Sequence, residues 1–324
     1  MQRLEVSSFA KVNLGLKVLG CRADGYHEVR TVLQTIDLAD HLSFEQAPEL
    51  SMRVEGTYRV AGDESNLVMR AARALSERFP GHGARILLRK SIPPGAGLGG
   101  GSSNAAATLL ALGRLWGLDA DPGLLYALAR GLGSDVPFFL YGGTCLGLGR
   151  GDEIFPLPDP PERSLIVAWP GVELSTAAVY AGLPLALTSR RILSSMKGFL
   201  PGTPVRASRD EAMSPAGGPA GAGPAAMESP GGGNPSPPAV ENDLEETAFG
   251  MLPALRRLKD RLVDSGAVAA AMSGSGSAVF GMFPSSKGID KLAGSLATGE
   301  TVTFVCRTLS RDAYRVKLFQ RTPV

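Results

Sequence analysis

Pro93-Pro94-Gly95-Ala96-Gly97-Leu98-Gly99-Gly100-Gly101-Ser102-Ser103-Asn104 is the stretch on which the reading of this chain turns. Five of its twelve residues are glycine, and Ser102, Ser103 and Asn104 open a helix. Ala105, Leu109, Leu112 and Trp116 then recur at the spacing of one helical face, and Gly117 is placed to end it. A glycine loop that runs into a helix presents free backbone N–H groups and the positive end of the helix dipole. That is an anion site, and phosphate is the usual anion. Any Cβ here would hold a phosphate away from the backbone.

Three common phosphate-binding patterns do not fit. Gly95 to Gly100 matches G-x-G-x-x-G, but the dinucleotide fingerprint needs a strand running straight into its first glycine, and Ser91-Ile92-Pro93-Pro94 intervenes. No Lys-Ser or Lys-Thr follows the glycines, so the loop is not a Walker loop. The chain holds neither His-Arg-Asp nor Asp-Phe-Gly, which excludes a protein kinase. A plain glycine turn between strand and helix is the competing reading. Three consecutive glycines followed by Ser-Ser-Asn favour function.

Composition bounds the rest. A length of 324 residues suggests one large or two modest domains, and 44% apolar residues suffice for a normal core. A net charge of +2 gives no reason to expect nucleic acid or an anionic membrane surface as partner. Cys21, Cys145 and Cys306 are odd in number and widely spaced, so neither a disulfide framework nor a metal cluster is implied. No run of about 18 apolar residues is present to span a membrane. The start, Met1-Gln2-Arg3-Leu4-Glu5, lacks the apolar core of a signal peptide, and the expected location is cytoplasmic.

Upstream of the loop, Val6 to Leu19 reads as a strand or strand pair. Alternation puts Lys11 and Asn13 on one face and Ala10, Val12 and Leu14 on the other. Lys11 alone could be a solvated strand lysine, and His27, in the turn Asp24-Gly25-Tyr26-His27, a plain surface histidine. Thr31 to Ile36, His41 to Phe44 and Ala84 to Lys90 read as further strands, and Asn66 to Phe79 as a helix. Downstream, Pro122 to Leu132 is a helix, followed by Gly133-Ser134-Asp135-Val136-Pro137. There Asp135 is either a turn or cap aspartate or a rigidly held functional carboxylate. Gly142 to Thr144 and Gly147 to Asp152 are hairpin-like. Ser164 to Pro170 is a strand, and Glu173 to Tyr180 opens a helix capped by Ser175 or Thr176. Residues 201–240, with 9 prolines, 8 glycines and no aromatic residue, read as a disordered insertion between two helices. Thr247 to Ser265 has helical periodicity. Met272 to Gly281 is a second glycine loop between strand-like runs, for which a tight hairpin is the bland alternative. Lys287 to Ala297 is a helix, and Thr301 to Arg307 a last strand.

The Pro-x-Gly-x-Gly-Leu-Gly-Gly-Gly-Ser-Ser loop resembles the phosphate loop of the GHMP kinases. Ala10-Lys11-Val12-Asn13-Leu14 and Asp24-Gly25-Tyr26-His27-Glu28 resemble one branch of that family, whose acceptor is a cytidine diphosphate ester of a branched polyol on the non-mevalonate isoprenoid route. The resemblance implies an α+β fold of two domains, at 1–160 and 161–324. The first would be ribosomal-protein-S5-like and carry the ATP loop, Pro93 to Ser103. The second would be ferredoxin-like, and the active site would lie between them. It implies that Asp135 is the catalytic aspartate and Lys11 its partner. It places Asn13, Tyr26, His27, Thr176 and Tyr180 on the acceptor, and gives the segment around Gly147 to Asp152 a mostly structural part. ATP and Mg²⁺ are the implied cofactors, with Ser102 offered for the metal only by analogy with other phosphate-loop serines. The residues leave two other readings open: a different small-molecule kinase of the family, and a non-catalytic sugar-nucleotide sensor on the same fold.

Overall fold

The computed structural model describes residues 3–184 and 240–319. The expected insertion at 201–240 lies outside these but for Val240. Two strands dominate the first half. β1 (Arg3–Cys21) and β2 (His27–Ala47) pair antiparallel along their whole length. Two strands were expected within β2, yet the backbone stays extended across Asp37–Asp40, because β1 goes on pairing there through Ser8↔Asp40 and Phe9↔Ala39. The polar residues interrupt the apolar pattern without interrupting the ladder. The register shifts between Phe9 and Lys11 and again between Asn13 and Gly15. Such irregularities re-aim side chains, and these two flank Lys11 and Asn13.

β3 (Ser51–Gly56) was not anticipated; its alternation buries no residue fully. α1 (Leu67–Arg78) starts at Asn66, whose side chain accepts the Val68 N–H. β4 (Gly83–Lys90) leads to the glycine loop and then to α2 (Gly100–Leu115). α3 (Pro122–Leu132) is capped by Asp121, and one turn of helix, α4 (Phe138–Tyr141), follows. β5 (Thr144–Leu148) and β6 (Glu153–Pro156) form a hairpin attached to β2.

β7 (Ser164–Trp169) begins a second sheet, and the short α5 (Thr176–Ala181) starts at Ser175, whose hydroxyl accepts the Ala178 N–H. β8 (Glu241–Asn242) returns to the first sheet beside β1, giving the order β3-β4-β2-β1-β8. One helix was expected from Thr247 to Ser265. There are two, α6 (Glu245–Met251) and α7 (Ala254–Asp264). Pro253 lacks the N–H and disfavours helical backbone at Leu252, which sits at φ −137°. β9 (Ala269–Met272), β10 (Val279–Phe283), α8 (Ile289–Leu296) and β11 (Val302–Arg307) complete a sheet of order β11-β7-β10-β9. With helices in both crossovers this is the split β-α-β-β-α-β, ferredoxin-like arrangement. α9 (Arg311–Leu318) crosses back, and its Tyr314 and Leu318 join the core under the first sheet.

Three apolar clusters hold these layers. One lies between the first sheet and α1, α2 and α3; a second packs α6, α7 and α8 on the second sheet. The third joins the sheets: Ala10, Val12 and Leu14 of β1 meet Val167 of β7 and Phe280 of β10. Lys11 and Asn13, alternating with them, are thereby turned to the opposite side, as the pattern of β1 predicts. Among the described residues no helix is long and apolar enough to cross a membrane.

Candidate active site

The glycine loop is a pinned structure. Ala96 and Leu98 are buried in the cluster that joins the sheets, while Gly95 and Gly97 line an open cleft. Three of its carbonyl groups are tied to two other parts of the chain, the second glycine loop and β1. Ala278 N–H donates to Ala96 O (3.0 Å), Ser273 Oγ to Gly97 O (2.9 Å) and Lys11 N–H to Leu98 O (3.0 Å). No backbone partner takes the N–H groups of Gly95 to Gly99 among the described residues. Gly99, at φ 68°, is the N-cap of α2 and supplies no side-chain cap, so the first N–H groups of the helix are also free of one. Carbonyls held back and amides left over make a site for an anion.

Gly97 shows why the loop needs glycine. A Cβ there would lie 2.1 Å from Ser273 O and 2.9 Å from Gly276 O. The second glycine loop, between β9 and β10, is thus packed directly against the first. Pro93, Pro94, Gly99, Gly100 and Gly101 shape the turn and the helix start. Ser102 faces the cleft. Ser103 does not: it is buried, with Ser8 Oγ 2.8 Å from its hydroxyl and 2.7 Å from Asn104 Oδ1.

Beside the loop stands an ion pair. Lys11 Nζ lies 3.5 Å from Asp135 Oδ2, with the lysine side chain 3% exposed and the aspartate 36%. Asp135 sits in the tight turn between α3 and α4. Lys11 Nζ also donates to Asn13 Oδ1 (2.6 Å), and Asn13 Nδ2 donates to Thr31 Oγ1 (2.8 Å). Thr31 in turn donates to Gly15 O, so the ammonium is fixed by a chain of bonds rooted in the β1–β2 ladder. The cleft wall opposite is Gly274, where a Cβ would lie 3.1 Å from Lys11 Nζ.

Part of the cleft lining is aromatic. The rings of His27 and Tyr180 lie 4.9 Å apart and are tilted by 38°. Burial, aided by the Asp135 charge, pushes the Tyr180 hydroxyl up to about 12, so it stays protonated. Tyr26, 52% exposed, forms the rim. Its turn is fixed by Asp24 Oδ1, which accepts the Tyr26 N–H and lies below the usual carboxylate range for that reason. Thr176 Oγ1 is 2.8 Å from Ser275 Oγ, which links α5 to the second glycine loop across the cleft mouth. The whole cleft has a volume of about 790 Å³.

Sequence reasoning missed Arg150, in a segment expected to be mostly structural. Its guanidinium lies over the Tyr26 ring, 4.9 Å from the centroid, and it lines the cleft. Asp152, buried behind it, is bonded more closely by Arg130 (2.8 Å) than by Arg150 (3.3 Å). Gly149-Arg150-Gly151 reads as a turn in sequence; the only available signal was an arginine held between glycines. Ser134 and Thr31 also reach the cleft unannounced.

An anion loop, a lysine–aspartate pair beside it and an aromatic recess beyond are the parts of a small-molecule phosphotransferase. The comparisons with known proteins give the same class. The family model described as GHMP kinases N terminal domain matches residues 66–143, and that described as GHMP kinases C terminal matches residues 235–299. A homoserine kinase structure from Cytophaga hutchinsonii, 19% identical, shares the fold with a TM-score of 0.65 over 96% of this chain and 95% of its own. The chain belongs to the GHMP kinase family.

Its place within the family is narrower. The 4-diphosphocytidyl-2-C-methyl-D-erythritol kinase of Solibacter usitatus is 41% identical over 95% of this chain and 89% of its own length. That of Moorella thermoacetica is 39% identical over 95% of this chain and 100% of its own. A crystal structure of 4-(cytidine 5'-diphospho)-2C-methyl-D-erythritol kinase, 33% identical, covers 94% of this chain and 99% of its own with a TM-score of 0.71. The chain belongs with the 4-diphosphocytidyl-2-C-methyl-D-erythritol kinases.

Proposed function

We propose that this protein transfers the γ-phosphoryl group of ATP to the 2-hydroxyl of 4-diphosphocytidyl-2-C-methyl-D-erythritol. The observation that carries the reading is the 3.5 Å contact of Lys11 with Asp135, in the cleft that glycines of the loop, His27 and Tyr180 also line. Phosphoryl transfer needs positioning and charge compensation more than covalent chemistry. The loop amides receive the triphosphate. Asp135 takes the proton of the acceptor hydroxyl as its oxygen bonds to the γ-phosphorus, the bond to the β-phosphate oxygen breaks, and ADP leaves. A tertiary alcohol is a poor acid, so a base held beside it is useful. The Lys11 charge offsets the charge that builds on the transferred group.

The recess suits the cytosine. His27 offers a ring nitrogen to the base edge and Tyr180 or Tyr26 a stacking face. Among the described residues, Lys11, Asp135 and Arg150 are the charged ones lining the cleft. Lys11 and Asp135 compensate each other, and Arg150 is left to meet the acceptor's diphosphate, for which a guanidinium is well shaped. The Asn13 amide, with one N–H still free of its Thr31 bond, can turn to the polyol. Mg²⁺ fits the site as an ion that arrives with ATP. The cleft offers the Ser102 hydroxyl, and Mg²⁺ usually takes only one or two protein oxygens beside phosphate and water. When bound it would neutralise phosphate charge.

Consumption of ATP by the purified protein tests the assignment, with 4-diphosphocytidyl-2-C-methyl-D-erythritol as acceptor and mevalonate and homoserine as controls. Turnover with the cytidine compound alone is expected. Preference for either control would assign the cleft to a different branch of the family, and no turnover with any acceptor would favour a sensor.

A further inference from the structure

Asp40 and Lys90 form a buried ion pair that the phosphoryl-transfer chemistry does not use. Lys90 Nζ lies 2.5 Å from Asp40 Oδ2, and the two side chains are 4% and 0% exposed. A buried pair of this kind is weak evidence for stability, because desolvation offsets much of its attraction. Its remaining bonds point elsewhere. Asp40 Oδ1 accepts both the Ser91 N–H (2.7 Å) and the Ile92 N–H (2.8 Å). Lys90 Nζ donates to Ile92 O (2.7 Å). These are the residues between β4 and the glycine loop.

The junction is also held by the Thr57 and Tyr58 N–H groups, which donate to Lys90 O (2.8 and 3.3 Å), and by the buried Ile92 side chain, but among the described residues Asp40 alone takes the Ser91 and Ile92 N–H groups. Pro93 and Pro94, which follow at once, have no N–H to donate. The next ties are the carbonyl bonds of Ala96, Gly97 and Leu98. The Lys90 ammonium also lies beneath the start of α2, 3.0 Å from where a Cβ of Gly100 would be. One ion pair thus grips the loop's entry and touches its exit into the helix. We propose that Asp40 and Lys90 are positioning residues for nucleotide binding, fixing both ends of the glycine loop so that its amide groups converge on the ATP phosphates. The proposal rests on the reading of that loop as the ATP site.

Three variants test it: Lys90→Met, Asp40→Asn and the double variant. Each is measured for thermal midpoint, for ATP dissociation constant by titration without acceptor, and for acceptor KM. A single variant leaves one buried partner uncompensated and should melt early, whereas the double variant removes both charges and should recover much of the midpoint. The expected result in the double variant is ATP binding weakened about tenfold, the worth of a lost charged hydrogen bond, with acceptor KM changed less than about twofold. Asp40→Asn keeps an oxygen for the Ser91 and Ile92 amides and should weaken ATP binding less than the double variant, which carries the test. ATP affinity within about twofold of the unaltered protein, whatever the thermal midpoint, would overturn the proposal, because charged hydrogen bonds are worth more than that. So would equal weakening of ATP and acceptor. Because ATP is titrated alone, a wrong acceptor assignment would leave this measurement intact, whereas failure of the unaltered protein to bind ATP would count against the loop reading itself.

Discussion

Lys11 Nζ and Asp135 Oδ2 stand 3.5 Å apart although 124 residues separate them in the chain (135 − 11), one on the bulged strand β1 and the other in the turn before α4. At that distance the two opposite charges attract each other and can act together on one reacting group. Lys11→Met should therefore lower kcat. A Lys11→Met/Asp135→Asn double variant should lose less than the product of the two single effects, because groups acting as a unit are not additive. Steady-state kinetics of the four proteins measures this. Fully multiplicative losses would mean that the two residues act independently.

The contact of Gly97 with Ser273 makes a second test. A methyl group at Gly97 would meet the Ser273 carbonyl at 2.1 Å, on a residue whose φ is 74°. Gly97→Ala should weaken ATP binding and destabilise the protein by about 1–3 kcal/mol, the usual cost of overpacking. ATP titration and thermal melting read the two effects. An alanine variant that melts and binds like the parent would disprove the interlock of the two glycine loops.

Arg150 supplies a test of acceptor recognition. Arg150→Met keeps length and removes charge, so acceptor KM should rise about tenfold or more, as for the loss of a charge-assisted contact to phosphate. ATP affinity should hold. An unchanged acceptor KM would remove Arg150 from the acceptor site and leave it as a prop for Tyr26 and Asp152.

Alkaline stability follows from the tyrosines. Tyr180 is raised to about 12 and Tyr314 is raised too, both chiefly by burial. An unfolded tyrosine ionises near 10, so between that value and the folded one the native state holds protons that the unfolded chain has released. The stability these residues contribute is complete below about 10 and is lost as pH rises toward 12 and beyond. Denaturant unfolding in steps from pH 8 upward should show stability falling above about 10, with a shallower fall in Tyr180→Phe. Equal slopes in the two proteins would show that Tyr180 ionises alike in both states.

Much of this was legible in the sequence because the signals were local. Glycine spacing marked the loop that opens α2, and alternation along β1 put Lys11 and Asn13 on the face opposite Ala10, Val12 and Leu14. The helices expected from Asn66 and from Pro122 start within a residue of α1 and α3. What escaped depended on distant partners. β2 continues through Asp37–Asp40 because β1 pairs with it. Tyr314 of α9 fills the space beside Gly142 and donates its hydroxyl to Phe139 O, bracing the helix that follows Asp135. Nothing near Tyr314 in sequence announces that contact. Arg150 escaped because only the fold brings its guanidinium over Tyr26. The leucine repeat from Leu252 to Leu262 reads as one helix, and Pro253 divides it because it disfavours helical backbone at Leu252.

The most direct test of the whole account is kcat of Asp135→Asn with ATP and 4-diphosphocytidyl-2-C-methyl-D-erythritol. Asparagine keeps the reach and shape of the side chain and removes its charge and basicity. With Asp135 as the base, kcat should fall by about 10²–10⁴, the usual worth of general-base catalysis, while ATP affinity stays close to that of the parent. A kcat near the parent's would contradict the assignment, and would mean that the acceptor's proton leaves by a route that does not involve Asp135.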